Sequence, residues 1–243
     1  MRSRIAVLAS GGGTNLQALL DYLDAVGEKR GGDVVLVASD RREAGALARG
    51  AAQGIRTAHV AQTGGGAGAP SLDALLRENE VDLVALAGYL RLVPAEVVER
   101  YRGHIVNVHP ALLPSFGGPG MYGPRVHQAV LDAGVTVSGV TVHFVDQAYD
   151  RGPIIAQWPV PVLRTDSPAS LAARVLRVEH ILYPRAVDAV ATGRIALTSD
   201  GAVRQAPAAP TPDAAEEGAD WTFCLSASTG PRLATEVARA LGA

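Results

Sequence analysis

The chain has 243 residues, with 22 Lys+Arg against 24 Asp+Glu, and 48% of it is hydrophobic. That length suits one large domain, or one domain with an appendage, and the hydrophobic share excludes disorder of the whole chain. A net charge of −2 gives no global pull toward nucleic acid or an anionic membrane, the lone Cys224 excludes an internal disulfide, and no stretch of about 18 apolar residues offers a transmembrane helix.

The first half alternates strand and helix signals. The run Ile5–Ala9 is too short for the apolar part of a signal peptide and reads instead as a buried strand, so a cytoplasmic location is expected. Leu16, Leu19, Leu20 and Leu23 then follow at helical spacing. Val34–Val37 is a second strand, and the Ala-rich stretch from Arg42 to Gln53 a helix ended by Gly54. Arg56–Val60, Leu83–Ala87 and Ile105–Val108 read as further strands. Between them, Ser71–Glu80 and the stretch from Pro94 to about Tyr101 read as helices. Such repeats imply a parallel sheet with helices on both faces.

The second half changes character. Val137–Val145 and Pro153–Val162 are strand-like and joined by a short turn at 146–152, which predicts an antiparallel pair. Ser167–Thr192 has the period of a long helix, which Pro184 should end or kink. The class is therefore α/β: a Rossmann-like, mostly parallel sheet flanked by helices, with an antiparallel pair in the second half. The expected division is a domain over 1–204, an Ala/Pro-rich linker over 205–219 and a short tail over 220–243 with one strand and one helix. Thr63–Pro70 is a Gly-rich loop.

Three places can carry chemistry. Ser10-Gly11-Gly12-Gly13-Thr14-Asn15 lies between a strand and a helix, where free amides and the helix dipole make an anion site and Thr14 or Asn15 can cap the helix. The bland reading is a plain tight turn. The dinucleotide fingerprint is incomplete, since its third glycine position is Leu16, and no Walker lysine is present. Asn107 and His109 close the fifth strand, where ligands sit in parallel sheets, and a spacing of two puts both on one face. An amide beside an imidazole can polarise a carbonyl and move a proton, or the pair can simply fix the Pro-rich loop that follows. Asp150, in a Gly-Pro turn, is either a turn former or, if the fold brings it to His109, a carboxylate that raises and orients the imidazole. His143 reads as a satisfied core residue, His59, His104 and His127 as surface or near-surface, and Glu179-His180 as a solvated face. Histidine and cysteine spacing offers no metal site.

Taken together, these stretches resemble the glycinamide ribonucleotide formyltransferase family, folate-dependent enzymes of purine synthesis. The matching segments are Ile5–Gln17, Leu86–Val93, Ile105–Pro114, Ser138–Val145, Asp150–Gln157 and Glu179–Pro184, in the family's order over roughly residues 4 to 197. The resemblance implies the formyltransferase fold and direct transfer of a formyl group from 10-formyltetrahydrofolate to the glycyl amine of the ribonucleotide, with no metal. It implies that Asn107, His109 and Asp150 are the catalytic trio, that Gly12, Gly13, Thr14 and Asn15 hold the substrate phosphate, and that Glu179 holds the glycinamide end. Leu90, Arg91, Leu92, Val93 and Val145 would wall the folate. No arginine stands in the loop at 63–70, where relatives often place one near the folate. Phe116–Arg125 fits a subset of bacterial relatives and, with its glycines, can serve as a lid. The expected partners are these two small molecules, with no nucleic acid and no membrane, and a monomer or homodimer. The alternatives are a formyltetrahydrofolate hydrolase, which carries an extra N-terminal domain, a methionyl-tRNA formyltransferase, which carries a C-terminal tRNA domain, and a non-catalytic nucleotide-binding module.

Overall fold

The computed structural model describes residues 1–60, 71–206 and 230–242. Its central sheet has seven strands: β1 (Ser3–Leu8), β2 (Gly32–Ser39), β3 (Arg56–His59), β4 (Leu83–Leu86), β5 (Ile105–His109), β6 (Val137–Phe144) and β7 (Ile154–Pro161). They lie in the order β3-β2-β1-β4-β5-β6-β7. The first five are mutually parallel and β6 runs antiparallel to β7, as the sequence predicts; β6 is also antiparallel to β5. The period of two divides the apolar side chains between two cores. Ile5, Val7, Leu83 and Ala85 enter one; Ala6, Leu8, Val84 and Leu86 enter the other.

Helices α1 (Thr14–Val26), α2 (Gly45–Ala52), α5 (Pro124–Asp132) and α6 (Pro168–Ala191) serve the first core, and α3 (Leu72–Glu78) and α4 (Ala95–Arg100) the second. The sheet's order reverses between β1 and β4, so the loops that leave these neighbouring strands diverge and open a crevice at their C-terminal ends.

Several expectations are corrected. Helix α2 starts at Gly45, three residues later than Arg42. Neither Thr14 nor Asn15 caps α1: the N-cap is Gly13, and no side-chain bond is made there. Pro184 does not end α6. Leu182, Tyr183, Ala186 and Val187 around it are buried, and that packing carries the helix past a residue with no N–H. The stretch 116–125 is not all loop, because Pro124 and Arg125 open α5. Gln205 is not linker: it ends β9 (Val203–Gln205), which pairs with β8 (Ile195–Leu197) in a separate hairpin. The strand expected in the tail lies outside the described residues. The tail's helix, α7 (Gly230–Leu241), docks through buried Leu233 and Val237 on the first core. Glu236 pairs with Arg185, and Arg177 Nη1 donates to the Ala240 carbonyl at 3.0 Å.

Candidate active site

The turn from β1 into α1 leaves a run of backbone amides unpaired among the described residues. Gly13 has φ +75°, and a Cβ there would stand 2.7 Å from Ala46 Cα, so no other residue fits without moving α2. The Gly11 carbonyl accepts from Ala46 N (3.1 Å), and the Gly12 carbonyl accepts from Arg49 Nε (2.8 Å). Both carbonyls are thus taken up on the α2 side. The amides of Gly12, Gly13 and Thr14 find no acceptor among the described residues. A Cβ added at Gly11 or Gly12 would meet nothing within 4 Å, which marks open space beside those amides.

The loop after β4 is tied to this turn. Ser10 N–H donates to the Gly88 carbonyl (3.0 Å), and Leu90 N–H donates to Ser10 Oγ (2.9 Å). Ser10 Oγ donates in turn to Asp40 Oδ1 (2.5 Å), whose other oxygen holds Arg91 Nε at 3.1 Å. Sequence reasoning missed Asp40, although it follows β2 directly, at the same kind of strand end that marks His109.

Asn107 and His109 point to one face from β5, and the antiparallel register sets His143 opposite Asn107. Asn107 Nδ2 donates to His143 Nε2 (3.1 Å), while His143 Nδ1 donates to the Phe144 carbonyl (2.7 Å). One of the two amide hydrogens of Asn107 is thereby used, and the second remains for a ligand. His143 is buried and satisfied, as expected, but it also fixes Asn107.

The turn between β6 and β7 brings Asp150 to this pair. It closes tightly because Gly152 has no side chain: a Cβ there would lie 1.8 Å from the Phe144 carbonyl oxygen. Asp150 itself has φ +54°, a strained value for a residue with a Cβ. Asp150 Oδ2 lies 3.5 Å from His109 Nδ1 and accepts from Gly118 N (2.8 Å); its Oδ1 lies 3.7 Å from His143 Nε2. Burial alone would raise this carboxyl, but His143, His109 and the Gly118 amide outweigh it and hold it below the usual carboxylate range. His109 Nε2 donates to the Phe116 carbonyl at 2.9 Å. The expectation that Asp150 raises the His109 imidazole is half met. Burial is the larger influence and lowers it; Asp150 works against burial without overcoming it. His109 is therefore neutral at pH 7, with a carboxylate waiting beside it.

Glu179 is not on a solvated face. It is 8% exposed, and its Oε2 accepts from Asn15 Nδ2 at 2.6 Å. Burial raises its carboxyl, against the opposing bond from Asn15. Asn15 Oδ1 and the Tyr183 hydroxyl are buried and find no hydrogen-bond partner among the described residues. His127, expected near the surface, is only 4% exposed because α5 turns it inward.

One cavity of about 620 Å³ joins these groups. Its wall includes Ser10, Gly11 and Asn15 from the β1–α1 turn, Asn107, His109, Asp150 and Glu179, and Leu90, Arg91, Leu92, Val93 and Val145. His127, His143 and 118–124 also line it, while Gly12, Gly13 and Thr14 stand outside this lining.

The formyl transferase family model matches residues 3–187, which cover most of this fold and every residue just named. The chain belongs to the formyl transferase family. Within it, the chain is 41% identical over 204 residues to the chloroplastic phosphoribosylglycinamide formyltransferase of Arabidopsis thaliana, covering 82% of this chain and 69% of that one. It is 37% identical to the human trifunctional purine biosynthetic protein adenosine-3 over 83% of this chain, but spans only 20% of that protein. Among solved structures, glycinamide ribonucleotide transformylase 1 from Symbiobacterium toebii aligns with a TM-score of 0.74 at 39% identity, covering 84% of this chain and 94% of that one.

Proposed function

We propose that this chain transfers the formyl group of 10-formyltetrahydrofolate to the glycyl amine of 5-phosphoribosylglycinamide, as a cytoplasmic enzyme of purine biosynthesis. The observation that carries the reading is the convergence of Asn107, His109 and Asp150 on one cavity, whose wall also takes in the β1–α1 turn and the apolar residues after β4. Gly12, Gly13, Thr14 and Asn15 take the phosphate, Glu179 takes the glycinamide end, and Leu90, Arg91, Leu92, Val93 and Val145 flank the pterin. Asn15 Oδ1 offers a further acceptor to the ribonucleotide.

In this reading the amine nitrogen bonds to the formyl carbon, and the carbonyl oxygen becomes an oxyanion. The free N–H of Asn107 stabilises that oxygen. His109, neutral at the start, takes the proton that the amine loses, and the Asp150 carboxylate balances the imidazolium. When the bond between the formyl carbon and the folate nitrogen breaks, His109 returns the proton to that nitrogen. The products are formylglycinamide ribonucleotide and tetrahydrofolate.

The test is folate release by the purified protein, measured with 10-formyltetrahydrofolate in the presence and absence of the ribonucleotide. Release that depends on the ribonucleotide is expected. Release without it would make the chain a hydrolase, and no release in either tube would leave a binding module.

A further inference from the structure

Arg49, on the second turn of α2, belongs to none of the substrate-binding sets above, yet its guanidinium reaches across to the glycine turn. Its Nε donates to the Gly12 carbonyl at 2.8 Å and its Nη1 to Gln17 Oε1, on α1, at 3.2 Å. A peptide plane directs its C=O and its N–H to opposite sides. Anchoring the Gly12 carbonyl therefore fixes where the Gly13 amide points. The preceding plane is fixed in the same way, since Ala46 N holds the Gly11 carbonyl and the Gly12 amide faces away from α2. One of these two anchors is backbone and survives any substitution. The other is the side chain of Arg49 alone. Arg49 is partly buried between α2 and α1, which limits the rotamers open to it.

We propose that Arg49 is a positioning residue for the phosphate end of the ribonucleotide: it sets the Gly12–Gly13 peptide so that its amide faces the phosphate, and contributes little to the folate end. The proposal rests on the function proposed above. Its test compares the native chain with Arg49→Ala and Arg49→Lys, using glycinamide ribonucleotide and its dephosphorylated ribonucleoside as acceptors. For Arg49→Ala, the KM for the ribonucleotide should rise about tenfold, the effect expected from losing a charge-assisted hydrogen bond. The KM for formyl-folate should stay within about twofold, and kcat/KM for the ribonucleoside should hardly change. Arg49→Lys keeps a donor for the Gly12 carbonyl and should recover most of the loss. An equal penalty on both acceptors, or on both substrates, would overturn the proposal, because a merely structural residue would act that way. If Arg49→Ala does not fold, Arg49→Gln, which keeps the length of the side chain but loses the charge, is read by the same criteria. If the native chain forms no product, the functional reading fails by itself, and the loop is then judged by inorganic phosphate. Phosphate should raise the melting temperature of the native chain and of Arg49→Lys, and that of Arg49→Ala by clearly less; equal shifts in the native chain and Arg49→Ala would overturn the proposal.

Discussion

Two neighbouring glycines in the β1–α1 turn should fail in opposite ways. At Gly13, alanine meets a backbone with φ +75° and a wall, its Cβ landing 2.7 Å from Ala46 Cα and 2.9 Å from Ala46 Cβ. The left-handed conformation costs a residue with a Cβ about 1–2 kcal/mol. Forcing a methyl into a packed contact costs about 1–3 kcal/mol more. Gly13→Ala should therefore lose about 2–5 kcal/mol of stability, a large share of the roughly 5–15 kcal/mol that holds a domain together. At Gly12 the same methyl meets nothing within 4 Å. Gly12→Ala should change stability by less than about 1 kcal/mol, while its methyl occupies the space assigned to phosphate and raises the KM for the ribonucleotide. Urea unfolding midpoints and steady-state kinetics on both variants separate the two effects. If Gly12→Ala proved as destabilising as Gly13→Ala, or if Gly13→Ala stayed within about 0.5 kcal/mol of the native chain, the packing account of this turn would be wrong.

Three other outcomes are expected. Asp150→Asn removes the charge that balances the protonated His109, and kcat should fall about 100-fold; near-native turnover would reject that role. Because burial holds His109 below the ordinary imidazole value, kcat/KM should decline on the acid side only below that value, as the ring gains a proton. Asp150, held low, stays ionised through that range. The same limb should persist in Glu179→Gln, which removes the other buried acid of the cavity; a midpoint above the ordinary imidazole value, or a limb that disappears in Glu179→Gln, would assign the titration elsewhere. Val237→Asp places a carboxylate at a fully buried position of α7 and should cost about 2 kcal/mol or more, so an unchanged urea midpoint would show that α7 does not dock.

The parts of this molecule that obey a local period were legible in its sequence. Alternation at 137–145, helical spacing at Leu16–Leu23 and the two-residue offset of Asn107 and His109 all follow from backbone geometry. What was hidden depends on which side chains meet. Pro184 reads as a helix breaker, because propensity does not register the burial of Tyr183 and Val187 on either side. Glu179 reads as solvated until α6 is laid against α1 and Asn15 reaches it. The pairing of His143 with Asn107 needs the β5–β6 register, and the Ser10–Asp40–Arg91 chain needs three loops to converge. The helix α5 was masked by the glycines before it. Asp150 is the middle case. Its turn was visible, but only the family resemblance placed it beside His109, where the structure puts it.

The order of the strands also sets a mechanical tolerance. The turn proposed to hold the phosphate and the loop proposed to flank the pterin leave from β1 and β4, which are hydrogen-bonded neighbours, and Ser10 bolts the two together. Their separation is gauged by the strand spacing, about 4.8 Å, rather than by the length of any loop. Insertions or deletions between the outer strands, as between β3 and α3, can accumulate without changing the distance from nucleophile to formyl carbon. The chain is thus free to vary at its edges while its central dimension stays fixed.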